Sequence, residues 1–165
     1  AFHTAVIHAY EPNRALEPYL SEQCRSAGVE VFYEAVGREA DTVTLDVINA
    51  AESVHTASRS DPAGTIPQIA LRTAIERIGG SVDLLKIDCE GSEWEMLAAP
   101  ASWRSVRYVT MEYHLREGLN HDSIGEALRR CGFLILDQNR AETYGLVFAR
   151  NEQFNFLHDA EISAI

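Results

Sequence analysis

Lysine is nearly missing from this chain: of 14 basic residues only Lys86 is a lysine, and the others are arginines. Cysteine is sparse as well, with Cys24, Cys89 and Cys131 far apart and no Cys-x-x-Cys pair. That spacing indicates neither a disulfide framework nor a zinc site, so the thiols are expected to be buried. No apolar run approaches the roughly 20 residues of a membrane span, and no basic-apolar-small pattern of a signal peptide is visible, which makes the cytoplasm the expected location. Basic charge is short: 25 acidic residues against 14 basic ones leave a net charge of −11. A surplus of that sign opposes phosphate backbones and anionic membranes, so nucleic acid is not an expected partner. A glycine loop of the kind that cradles a nucleotide is also lacking, since Gly79-Gly80 does not follow a strand.

At 165 residues the length is that of one domain, spanning 1–165 and able to bury roughly two-thirds of its unfolded surface. The most informative stretch runs from Val82 to Leu97. Leu84, Leu85 and Ile87 form a short apolar run without alternation, read as a strand buried on both faces. It ends in Asp88, Glu90 and Gly91, and Ser92 with Glu95 three positions on has capping-box spacing for a following helix. In open α/β sheets ligands bind outside the carboxyl ends of strands, which is where Lys86, Asp88 and Glu90 would lie. Acids also suit helix N-termini and turns for structural reasons alone. The single lysine two residues before Asp88 favours a role in pairing with a carboxylate.

Elsewhere, residues 5–10 predict a strand followed by Glu11-Pro12-Asn13, then a helix starting between Arg14 and Pro18 and ending at Gly28. Residues 29–34 alternate as a strand leading into Ala35-Val36-Gly37, and 42–48 are β-branched enough for another. Ser53 to Pro67, rich in Ser, Asp, Pro and Gly, reads as a long loop. A short strand (68–71) and a short helix (73–78) precede the central stretch. Val106 to Met111 is a further buried strand ending in Glu112-Tyr113-His114, where residues two apart point the same way. Asp122 is expected to cap a helix bearing Ile124, Ala127, Leu128 and Cys131, terminated by Gly132. Residues 133–136 and 144–148 predict a closing antiparallel hairpin, and the tail 151–165 is apolar enough to dock.

Asp83-Leu84-Leu85-Lys86-Ile87-Asp88-Cys89-Glu90-Gly91-Ser92-Glu93 resembles the signature of the FkbM-type methyltransferases, which use S-adenosyl-L-methionine and mostly methylate hydroxyl groups of natural products and sugars. The resemblance implies an α/β fold with a Rossmann-like class I methyltransferase sheet, mostly parallel with a C-terminal antiparallel hairpin, in three α/β/α layers. It implies that Glu11, Pro12 and Asn13 take the ribose, that Ala35, Val36 and Gly37 lie by the adenine, and that Asp88 also serves the cofactor. The partner is then a small-molecule or glycan hydroxyl acceptor.

Removal of the hydroxyl proton falls first to His114, because imidazole as a side-chain type is suited to proton transfer near neutrality, with Glu112 orienting it or serving instead. Asp88 and Glu90 would position substrate or cofactor, and Lys86 would tune that pair. As an alternative, Asp88, Glu112 and His114 together would hold a divalent cation that lowers the hydroxyl pKa. Two other readings remain open: a nicotinamide-dependent dehydrogenase, because an acid after the second strand also suits a dinucleotide, and a non-catalytic or decayed methyltransferase-fold domain. The resemblance begins at the family's second strand, so its first strand and glycine loop are expected upstream of Ala1. These residues alone are then expected to fold poorly or bind cofactor weakly.

Overall fold

The computed structural model describes residues 5–50 and 53–154, with side chains at all of these except 47–50 and 53–57. The apolar tail beyond residue 154 lies outside that range. β1 (Ile7–Tyr10) leads through a 3-10 turn (Arg14–Leu16) and α1 (Glu17–Ala27) to β2 (Val29–Phe32), which lies parallel to β1 with Ile7 opposite Val29. Pro18 sits in the first turn of α1, and Gly28 closes it at a left-handed φ of 70°, both as the sequence predicts.

A second sheet contains β3 (Ala35–Gly37), β4 (Asp41–Ala50), β5 (Ser53–Ser60) and β6 (Ile66–Ala70) in the order β3-β6-β4-β5. The expected long loop from Ser53 to Pro67 is therefore mostly strand, since β5 pairs antiparallel with β4 from Val43↔Ser60 to Ala50↔Ser53. Only Asp61 to Gly64 turns, with the Gly64 N–H donating to Asp61 O (2.8 Å) and the Ala63 N–H to Asp61 Oδ1 (2.9 Å). Short polar side chains read as loop, yet an exposed two-stranded ribbon accepts them because β propensity reflects packing more than backbone preference. Exposed Arg59 on β5 pairs with Asp46 on β4 at 3.1 Å.

α2 (Leu71–Arg77) connects to the third sheet, in which β7 (Val82–Ile87), α3 (Glu93–Leu97), a 3-10 turn (Pro100–Trp103), β8 (Val106–His114), α4 (His121–Arg130), β9 (Phe133–Arg140) and β10 (Tyr144–Asn151) follow in sequence. The strand order is β7-β8-β10-β9. β7 and β8 are parallel, and the expected closing hairpin is present, with β10 inserted antiparallel between β8 and β9.

A single, mostly parallel three-layer sheet is not what these strands form. Among the described residues there are sheets of two, four and four strands, mixed in direction. β7 also differs from expectation: it lies at the edge of its sheet, and Leu84 on it is 57% exposed. An unalternated apolar run indicates burial on both faces only when both edges are paired.

The core lies between the third sheet and helices α2, α3 and α4. Leu97, Trp103, Val109, Met111, Tyr113, Ile124 and Leu128 are all buried. The Trp103 indole N–H donates to Met96 O at 2.9 Å, and its ring meets Phe133 edge-on at 5.8 Å. Asn120, not Asp122, caps α4: its Oδ1 accepts from the backbone N–H of both Asp122 (2.9 Å) and Ser123 (3.1 Å). Asp122 falls in the first turn, where its charge suits the helix dipole. Gly145 on β10 stands directly opposite Tyr113 on β8, and a Cβ at 145 would collide with the tyrosine ring. No helix among the described residues is long and apolar enough to cross a membrane.

Candidate functional site

β8 sorts its side chains by pleat. Val109, Met111 and Tyr113 enter the core, while Thr110, Glu112 and His114 face the other way and remain half-buried. The expectation that Glu112 and His114 point together is met, with 3.6 Å between Glu112 Oε1 and His114 Nε2. The turn after β7 brings two further carboxylates to the same imidazole. Glu90 Oε2 lies 3.3 Å from Nε2, and Glu93 Oε1 lies 3.4 Å from Nδ1. The His114 carbonyl accepts the Trp94 indole N–H at 2.7 Å, and its ring stacks on Tyr144 with centroids 6.3 Å apart. The imidazole is thus fixed from its backbone, its face and both nitrogens.

The turn is shaped for this purpose by backbone conformations that side chains resist. Glu90 has φ 50°, and Gly91 has φ 107°. A left-handed residue other than glycine is uncommon and concentrates at functional sites. The Gly91 N–H donates to Glu93 Oε1 at 3.0 Å, and Arg116 donates to Gly91 O. Ser92 does not form the expected capping box. Its φ and ψ are already helical, which removes the geometry a capping side chain needs, and its Oγ lies 3.1 Å from Ser58 Oγ on β5. That contact sets the β4–β5 ribbon beside the motif.

Glu93 carries weight that sequence reasoning missed. It is completely buried, and its Oε2 is enclosed without a hydrogen-bond partner. At the first position of a helix it reads as a solvated acid, and its position in Glu-Gly-Ser-Glu was the only available signal. Burial first, and the Glu93 charge second, push the neighbouring Cys89 thiol far above the ordinary value, which opposes thiolate formation.

Lys86 does meet a carboxylate, with Nζ 3.1 Å from Asp88 Oδ2, but both side chains are well exposed (71% and 42%). Water screens such a pair, so it holds Asp88 with little energy and leaves the expected tuning of Glu90 unsupported. The cation alternative gains no support from the side-chain geometry. Among the described residues no group of three or more His, Cys, Asp or Glu side chains is placed to hold a metal ion, and Asp88 is engaged by Lys86 rather than by Glu112 and His114.

At the end of β1, Glu11 Oε1 accepts the Asn13 N–H at 2.7 Å, which fixes the carboxylate at the strand's carboxyl end. Pro12 and Asn13 line an open pocket of about 350 Å³ with Tyr33, Leu45 and Ile66. Ala35 and Gly37 are buried within β3, and Val36 packs partly against the core. Glu11 therefore follows a strand of the first sheet, whereas Ala35–Gly37 form a strand of the second.

A family model described as the methyltransferase FkbM domain matches residues 2–135, well over half of the chain. The chain belongs to the FkbM methyltransferase family. The FkbM match runs from before β1 into β9, so it includes every residue grouped around His114 except Tyr144. It also covers the Lys86–Glu93 stretch, which the dehydrogenase alternative leaves unexplained. No curated protein and no solved structure matches the chain.

Proposed function

We propose that this FkbM methyltransferase is an S-adenosyl-L-methionine-dependent enzyme that methylates a hydroxyl group of a small molecule or glycan. The observation that carries this reading is the imidazole at the end of β8, held between Glu90, Glu93 and Glu112 in a methyltransferase family member.

The donor set fits that cofactor chemically. A carboxylate fixed at the end of β1, as Glu11 is by the Asn13 N–H, suits the paired hydroxyls of a ribose. The acids around His114 give the other strand end a negative character that complements a sulfonium cation. Glu11, Pro12 and Asn13 would hold the ribose, and Val36 would offer an apolar surface to the base. When bound, S-adenosyl-L-methionine supplies a methyl group already activated by its positive sulfur.

What remains for the chain is alignment and proton removal. His114 takes the hydroxyl proton on Nε2. Glu90 and Glu112, 3.3 and 3.6 Å from that nitrogen, stabilise the resulting imidazolium. The test is transfer of labelled methyl to a panel of sugars and hydroxylated aromatics, comparing the natural protein with His114→Ala. Turnover should fall about 100-fold, in line with loss of a general base. Full turnover by His114→Ala removes it from that role, and no transfer to any hydroxyl acceptor refutes the O-methylation reading.

A further inference from the structure

Three carboxylates approach His114, and they are not equivalent. Glu90 and Glu112 are 25% and 32% exposed, so water supplies hydrogen bonds to both. Glu93 is sealed from water; its Oε1 takes the Gly91 N–H at 3.0 Å and the His114 ring at 3.4 Å, and the neighbouring Cys89 thiol adds only a weak hydrogen bond to the carboxylate. An ionised carboxylate buried with so few donors is costly, and taking an N–H from the imidazole is its cheapest relief. The solvated acids have no comparable need.

We propose that Glu93 is the positioning residue of the site: it accepts the Nδ1–H of His114, holds the ring in that tautomer, and so leaves Nε2 bare to receive a proton. The inference rests on His114 as the base in the reading above, and it replaces Glu112 with Glu93 as the group that orients it. The logic is that of a buried acid behind a catalytic histidine, where the acid fixes the tautomer and stabilises the imidazolium without itself taking the proton. Glu112 and Glu90 then face the nitrogen that works, and Glu93 faces the one that does not. Tyr144 against the ring opposes rotation that would exchange them.

His121 provides an internal contrast. Gln138 donates to Tyr113 Oη at 2.8 Å, so the Tyr113 O–H is directed at His121 Nδ1 (2.7 Å), and His121 Nε2–H donates to Ala141 O at 2.9 Å. The two histidines are therefore held in opposite tautomers.

The experiment is a long-range ¹H–¹⁵N correlation spectrum of the ¹⁵N-histidine-labelled protein at about pH 9, well above the ordinary imidazole pKa of ~6.5. His114 is expected as Nδ1–H and His121 as Nε2–H, and Glu93→Gln should move His114 toward the Nε2–H form while Glu112→Gln leaves it in place. An Nε2–H ring at His114 in the natural protein, or a ring still carrying both protons there, overturns the proposal, as does a Glu93→Gln spectrum identical to the natural one. If Glu93→Gln does not fold, the spectrum of the natural protein decides alone. The tautomer is read without any methyl transfer, so a failure of the methyltransferase reading shows separately, in the turnover of His114→Ala.

Discussion

Arg77 on α2 reaches across to the β1–β2 pair, and removing it tests how that pair is held. Its Nη1 donates to Glu34 at 2.8 Å, and its guanidinium lies over the Phe32 ring at 4.4 Å and the Tyr10 ring at 5.7 Å. A two-stranded unit is marginal by itself, so such anchors matter more here than in a wide sheet. Arg77 and Glu34 are 30% and 25% exposed, which puts their charge-assisted bond toward the low end of its usual range. With the two ring contacts added, Arg77→Met should weaken the anchorage by about 2–3 kcal/mol. The reporter is amide hydrogen exchange. Protection at Ala9 and Val31 should fall roughly 30- to 100-fold, at about 1.4 kcal/mol per tenfold, while Val109 and Val147 in the third sheet stay within about threefold. Unchanged protection at Ala9 would refute the anchoring argument. An equal fall at Val109 would refute its local character.

Two further outcomes follow from buried polar groups. Asn151 is 5% exposed and joins three backbone groups: its Nδ2 donates to Trp103 O and Val106 O, both at 3.0 Å, and its Oδ1 accepts the Gln153 N–H at 2.8 Å. Asn151→Leu strands all three, so thermal melts should show a loss of about 3 kcal/mol and a Tm lower by about 6–12 °C. Burial pushes the Cys131 thiol up from 9.0 to about 11. A folded pKa raised above the unfolded one gives stability that is complete below the unfolded value and is lost as pH rises through the folded one. Urea midpoints should therefore decline between about pH 9 and about pH 11, and Cys131→Ala should flatten part of that decline.

Legibility in the sequence followed how local the deciding physics is. The alternation of β8 and the helical spacing of Ile124, Ala127 and Leu128 depend only on pleat and helix period, and the structure follows them. Gly28 and Pro18 likewise mark the ends of α1 because φ limits are intrinsic. The burial of Leu84 depended on what pairs with the far edge of β7, which no window of sequence contains. Strand β5 was hidden because Ser53, Ser58 and Ser60 are residues that loops also use, whereas its partner β4 was readable from its β-branched run. In the site, the pair Glu112 and His114 was readable from a spacing of two. The contact of Glu93 is with His114, 21 residues further on, so its partner was not visible in the motif.

Gly145 has a consequence for how the site comes to exist at all. Side chains on β8 alternate strictly, so a slip of one residue against β10 would exchange Met111 and Tyr113 for Glu112 and His114 between the dry face and the polar one. Such a slip would also move the Tyr113 ring from the only strand position in β10 without a Cβ onto a neighbour that has one. The missing side chain therefore acts as an index mark: it makes the correct pairing of β10 with β8 sterically distinct from its neighbours. A residue outside the His114 cluster thereby decides which face of the strand presents Glu112 and His114.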